Sequence, residues 1–313
     1  MPRGWLKYGM TPVVCLLAVA GGTPLGCKPA KDKPKAADPF EQVYGRLLGQ
    51  APGSPSELCA GAKLGATVDL AAFKKHRGNL PTGLKWPDGE RIGCKVDLRG
   101  GRVATMAVGR TSYRALSRYI AKRWGPPAAT VDRPQGTKRR IWLNAAKRVR
   151  AVIDDRPGEE IYHPPMYFQR YVTVEDLLAD SPRGMGLASG DPILGKPTRA
   201  LADGLPSWAS GISREGVVGF PPLGLCPEIA DTRAENWLSL ARDKAGTIEG
   251  YVLKLRWLAA GEKATVLKLL EAKHGEPVAE GTDRIFRTKT TSVRVKEDVD
   301  SGLFIAFSRA RKP

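Results

Sequence analysis

Two parts of this chain repeat one another in the same order, and a chain that contains itself twice is constrained to fold as two like units. Tyr119–Ala129 (YIAKRWGPPAA) matches Leu269–Ala279 (LLEAKHGEPVA), with Gly125 on Gly275, Pro127 on Pro277 and Ala129 on Ala279. Downstream, Arg140–Asp155 lines up with Arg284–Val299, and Tyr167–Val172 with Leu303–Ser308. Upstream, Leu64-Gly65 followed by Gly78–Pro81 recurs as Leu194-Gly195 followed by Asp203–Pro206. At 313 residues, each half is long enough to bury a core of its own.

Each half reads as an α+β unit. A short helical segment (VDLAAFKKH in the first copy, TRALADGLP in the second) leads to a hairpin. The hairpin is clearest in CKVDLRGGRVATMAV, where Gly100-Gly101 turns the chain between alternating strands. A helix follows: Tyr113, Leu116, Ile120 and Trp124 form an apolar stripe, Ser112 is placed to cap it, and Gly125-Pro126 stops it. The second copy keeps Val266 and Leu270 of that stripe. Two or three further strands complete the sheet, with Val149, Ala151 and Ile153 on one face and Arg148, Arg150 and Val152 on the other. The expected fold is α+β, two tandem repeats, each a helix packed on an antiparallel sheet.

The chain divides accordingly. Residues 57–178 form the first repeat, 179–192 a linker and 193–313 the second repeat. Ahead of them, 39–56 holds a short amphipathic helix (Phe40, Val43, Tyr44, Leu47 and Leu48 on one face) and a Pro/Gly/Ser joint. Gly184, Gly186 and Gly190 read as linker glycines rather than a dinucleotide loop, since no clear strand precedes them.

Charge is distributed unequally between the repeats. The chain carries a net +18, which favours anionic partners. Residues 101–150 hold 13 Lys or Arg and one acid, whereas the matching window 251–300 holds 10 basic and 8 acidic residues. A fold that demanded the charge would show it in both copies. Arg114, Arg118 and Lys122 fall at helical spacing as a cationic stripe, and Lys138, Arg139, Arg140, Lys147, Arg148 and Arg150 form a second cluster around a hairpin. Together these nine are the candidate anion-binding residues.

The N-terminus sets the compartment. Arg3 and Lys7 precede an apolar run of 11 residues, Met10–Ala20, and then the small and turn-forming GGTPLG. This is the order of an export signal, and the run is too short to span a bilayer. Ala18-Val19-Ala20 offers cleavage to a soluble secreted or periplasmic form. Alternatively, Pro24-Leu25-Gly26-Cys27 resembles the lipobox of bacterial lipoproteins. That resemblance implies a signal peptide over 1–26, a diacylglycerol on Cys27 and a membrane anchor. An aspartate after the lipidated cysteine favours inner-membrane retention in that family, so Lys28 points to the outer membrane. The following KPAKDKPKAAD has no large apolar residue, and 27–38 reads as a disordered tether.

Export places the remaining cysteines in an oxidising compartment. A bridge between Cys59 and Cys94 would close a loop of about 35 residues and contribute roughly 3–4 kcal/mol, with Cys226 left as a buried thiol. Catalytic signatures are missing: His76, His163 and His274 lack metal-ligand spacing, and no serine sits in G-x-S-x-G. Asp154-Asp155 and Glu159-Glu160 read as solvated strand ends. No cofactor, metal or catalytic residue is expected. The reading that follows is a lipid-anchored envelope protein, acting as a non-enzymatic binding or scaffolding module. It docks to anionic lipid, lipopolysaccharide or an acidic protein, with nucleic acid disfavoured by compartment. The alternative is a secreted hydrolase acting on an envelope polymer, for which two facing acids between the repeats would be the mark.

Overall fold

The computed structural model describes residues 64–67, 70–75, 79–85, 91–99, 102–108, 113–155, 165–190, 192–229, 236–298 and 301–310. All belong to one compact unit running from Ala37 to Pro313. Cys27, the tether, the helix expected near Phe40, Cys59, Gly100-Gly101, Ser112, Glu159-Glu160, His76 and His163 lie outside the described residues.

The architecture is mixed α+β, with two antiparallel sheets and few helices. In the first half the elements are α1 (Leu70–Lys75), β1 (Asn79–Lys85), β2 (Arg91–Arg99), β3 (Arg102–Val108), α2 (Tyr113–Trp124), β4 (Ala129–Asp132), β5 (Lys138–Asn144), β6 (Val149–Asp155) and β7 (Met166–Arg170). Then come α3 (Val174–Leu178), α4 (Thr198–Gly204), β8 (Val217–Phe220), β9 (Asn236–Arg242) and β10 (Ile248–Leu255). The chain ends with α5 (Ala260–His274), β11 (Val278–Glu280), β12 (Asp283–Arg287), β13 (Thr291–Glu297) and β14 (Leu303–Arg309). Each sheet has seven strands. The first runs β1-β2-β3-β7-β6-β5-β4; the second, read from its β8 edge, runs β8-β9-β10-β14-β13-β12-β11. Every place in one order is taken in the other by the strand seven later in the chain.

The helices are subordinate to the sheets. Among the described residues α2 leans on β5 and α5 on β12, and little else of either sheet meets a helix. The expected apolar stripe does form α2 over Tyr113–Trp124, and Gly125, in the left-handed region at φ 84°, ends it with its N–H on the Ala121 carbonyl. In α5 the retained pair Val266 and Leu270 is fully buried.

Sequence reading accounts for the inner five strands of the first sheet. Arg99 pairs with Arg102, which leaves the two-residue connection expected at Gly100-Gly101. The strands it did not distinguish are β1 and β4, both at sheet edges. β1 (NLPTGLK) contains Pro and Gly, and β4 (ATVD) is short. An edge strand pairs on one side only and needs neither a full set of N–H donors nor an apolar face.

The second core reaches back across the expected boundary. Val172, Val174, Leu177 and Leu178, just after β7, are buried with Tyr251, Val266 and Phe307 of the second half. Tyr251 and Phe307 stack with ring centroids 4.4 Å apart, an arrangement that adds roughly 0.5–1.5 kcal/mol to the burial itself. The stretch read as a linker is packed rather than loose: Leu187 and Ala188 are buried, and their N–H groups donate to the carbonyls of Leu177 and Leu178.

Candidate functional site

Part of the second basic cluster turns inward. β6 is a central strand, and its Arg150 is 0% exposed. The Arg150 guanidinium donates from Nε and Nη2 to Gln169 Oε1 on β7 at 2.9 and 2.7 Å. It also donates to the backbone carbonyls of Leu223 (3.3 Å), Gly224 (3.5 Å), Cys226 and Glu228. Those carbonyls belong to Pro221–Glu228, a segment of the second half that lies across the first sheet. Burial is the dominant influence on this guanidinium and pushes its pKa down to about 10.

Its neighbours complete the same contact. Arg139 on β5 is 7% exposed, pairs through two nitrogens with Asp154 at 2.6 Å, and donates to the Pro227 carbonyl at 2.6 Å. Arg133 pairs with Glu228 at 2.9 Å. Arg140 meets the buried Asp155 at 3.0 Å, and Arg148 meets Asp176 at 3.1 Å. Asp176 also closes the capping box of α3 with Thr173. Asp154 and Asp155 are therefore ion-pair partners of the sheet arginines, not the solvated strand ends expected. Arg150 and Arg139 have no surface to offer a ligand, and Arg140 and Arg148 are committed to internal acids.

The remaining predicted cations are outside. Arg118 and Lys122 lie exposed on α2, and Lys138 and Lys147 are exposed on β5 and at the β5–β6 turn. Lys138 stands 3.9 Å from the exposed Asp132. Arg123, which sequence reading did not select, is also exposed on α2, with its guanidinium 4.6 Å from the Tyr119 ring centroid. Arg114 opens the same helix; its side chain lies outside what the structure describes.

The cysteines divide cleanly. Cys94 on β2 is buried and disulfide-bonded, whereas Cys226 is buried and free. Burial pushes the Cys226 thiol above its ordinary pKa. His274 ends α5, buried, with Nε2 2.7 Å from the Ala188 carbonyl oxygen. Among the described residues no group of His, Cys, Asp and Glu is arranged to hold a metal ion.

Where the halves meet there is also a small cleft open to solvent, of about 50 Å3. Its floor is β3 and the end of β7, and its far wall is Ser207–Ser210 with Pro221 and Pro222. Among the described residues two arginines, Arg102 and Arg170, line it, and no carboxylate does. No helix among the described residues is long and apolar enough to cross a membrane. No family model, curated protein or solved structure matches the chain.

Proposed function

We propose that this protein is an exported, lipid-anchored binding module of the bacterial cell envelope. In this reading it is held by a diacylated Cys27 and built from two copies of one α+β unit. The cationic face of α2 docks to anionic envelope lipid or lipopolysaccharide.

Duplication is supported by the two strand orders and by a shared turn. Gly65 and Gly195 sit at φ 79° and 78°, and a Cβ on either would press on an arginine from the last strand of its own sheet, Arg170 or Arg309. Their N–H groups donate to Val103 and Ile248, neighbouring positions at the starts of β3 and β10. Export and lipidation rest on the N-terminal residues alone, from the charged start through Cys27.

The contrast between α2 and α5 carries the docking reading. These helices hold the same place in the two strand orders. α5 (AGEKATVLKLLEAKH) balances three lysines with two glutamates, while α2 (YRALSRYIAKRW) has four cations and no acid. Like charges at helical spacing cost a few tenths of a kcal/mol per pair, a cost that the mixed charges of α5 avoid. Beside an anionic bilayer each such cation contributes about 1 kcal/mol.

The test is flotation of the full chain carrying Cys27→Ala with vesicles rich in phosphatidylglycerol. Binding is expected at low salt, with loss at high salt and in Arg118→Glu/Lys122→Glu. Salt-insensitive binding, or equal binding by the double variant, would exclude the docking face. Fatty-acid labelling of the wild-type chain that persists in Cys27→Ala would exclude the anchor.

A further inference from the structure

The open cleft between the halves has a feature that packing does not explain. Arg102, at the start of β3, donates from Nη1 to the Gly65 carbonyl at 3.1 Å. Arg170, at the end of β7, lies against the other side of the same glycine: a Cβ at position 65 would stand 3.0 Å from its Cζ. Two guanidinium groups thus converge on one turn. Arg170 is half-buried, and among the described residues it pairs with no carboxylate and no carboxylate lines the cleft. Burial first, and then the charge of Arg102, push the Arg170 guanidinium below its ordinary pKa. Arg102 is exposed and water screens part of the repulsion, but holding its charge beside the half-buried Arg170 is unfavourable unless something negative joins them.

The fold repeats only one member of this pair: Arg309 lies against Gly195 as Arg170 lies against Gly65, but Arg102 has no such counterpart. The bridge between Thr67 and Arg102 has a counterpart between Pro197 and Thr247, so the second half carries a threonine where the first carries Arg102. The rest of the cleft is arranged around the two charges. Gln169 and Thr105 form a buried polar floor, with Gln169 Nε2 donating to Thr105 Oγ1 at 3.2 Å and Gln169 Oε1 held by Arg150. That places the Gln169 amide in one orientation. Facing it, Trp208 packs edge-on against Phe220 with centroids 5.9 Å apart, beside Pro221 and Pro222. A planar guanidinium pair matches the oxygens of a carboxylate or phosphate, and the Trp-Pro wall matches an apolar or ring-shaped body.

We infer that the cleft between the halves is a binding site for a small organic oxyanion, its carboxylate or phosphate held by Arg102 and Arg170 and its apolar body lying against Trp208. This site is separate from the cationic face of α2, and the vesicle assay can fail without touching it.

Titration calorimetry on the full chain tests it with phenyl phosphate, benzoate, inorganic phosphate and benzyl alcohol. Phenyl phosphate and benzoate are expected to bind, inorganic phosphate more weakly, and benzyl alcohol not at all. Arg102→Gln and Arg170→Gln should each weaken both organic anions about tenfold or more. Trp208→Leu should weaken phenyl phosphate while leaving inorganic phosphate unchanged. Without ligand, the two glutamine variants should unfold at the wild-type temperature or above it, because a like-charge contact has been removed. The inference is overturned by absence of binding up to about 5 mM, the weak end of specific recognition. It is equally overturned by unchanged binding in the double arginine variant, or by glutamine variants that melt lower, which would make the pair a structural element.

Discussion

Cys226 shows how one side chain takes its chemistry from what covers it. The thiol is buried beside Arg150, and although that cation favours the thiolate, loss of water outweighs it and the pKa rises. Folded chains therefore keep the proton at pH values where unfolded chains release it. The sign follows from linkage: below the unfolded thiol's pKa nothing changes, and above it stability falls as pH rises towards the folded value. Between about pH 8 and pH 10 the wild-type chain should lose more stability than Cys226→Ala, measured by urea unfolding at each pH. Alkylation by iodoacetamide at about pH 9 should be slow in the native protein and fast in urea, since the thiolate is the reactive form. The sequence placed this residue correctly as a buried thiol by counting cysteines, but its contact with Arg150 joins positions far apart in the chain and has no local signature.

Among the elements, β5 and β6 carry most of what the sequence could show and most of what it could not. Alternation along Val149, Ala151 and Ile153 identifies the strand, and the density of arginine around it is plain. What covers the other face is not, because Pro221–Glu228 arrives from the second half to offer backbone carbonyls. A run of cations on an uncovered strand is a solvated surface; under a layer of carbonyls and paired with Asp154 and Asp155 it is an adhesive. Arg139→Gln removes one such contact, leaving Asp154 without its bidentate partner and the Pro227 carbonyl without a donor. The expected loss is about 2–3 kcal/mol. Amide exchange across 221–228 should accelerate more than in β13, while exchange rising equally in both would mean that the segment is not held by this arginine.

For the molecule as a whole, the two halves are joined by polar groups as well as by apolar burial. Val172 bridges to Leu223, its N–H donating to the Pro222 carbonyl at 3.1 Å, and Arg150 gathers four carbonyls of the same segment. Arg150→Met keeps the length of the side chain but strands Gln169 Oε1 and those carbonyls without donors. The expected loss is about 3–5 kcal/mol by urea unfolding. Arg150→Lys should recover little of it, because a single ammonium cannot span the fork of acceptors. A full rescue by lysine would show that charge rather than geometry holds the halves.

Periodicity and turn residues, carried by residues near one another in the chain, were enough to determine α2 and the inner strands of the first sheet. Which arginines face water was decided only in three dimensions. Burial depends on what arrives from elsewhere, and Pro221–Glu228 comes to rest on β6 some seventy residues after it in sequence. The same distance hid the cleft, whose two arginines are 68 residues apart in the first half and whose apolar wall belongs to the second.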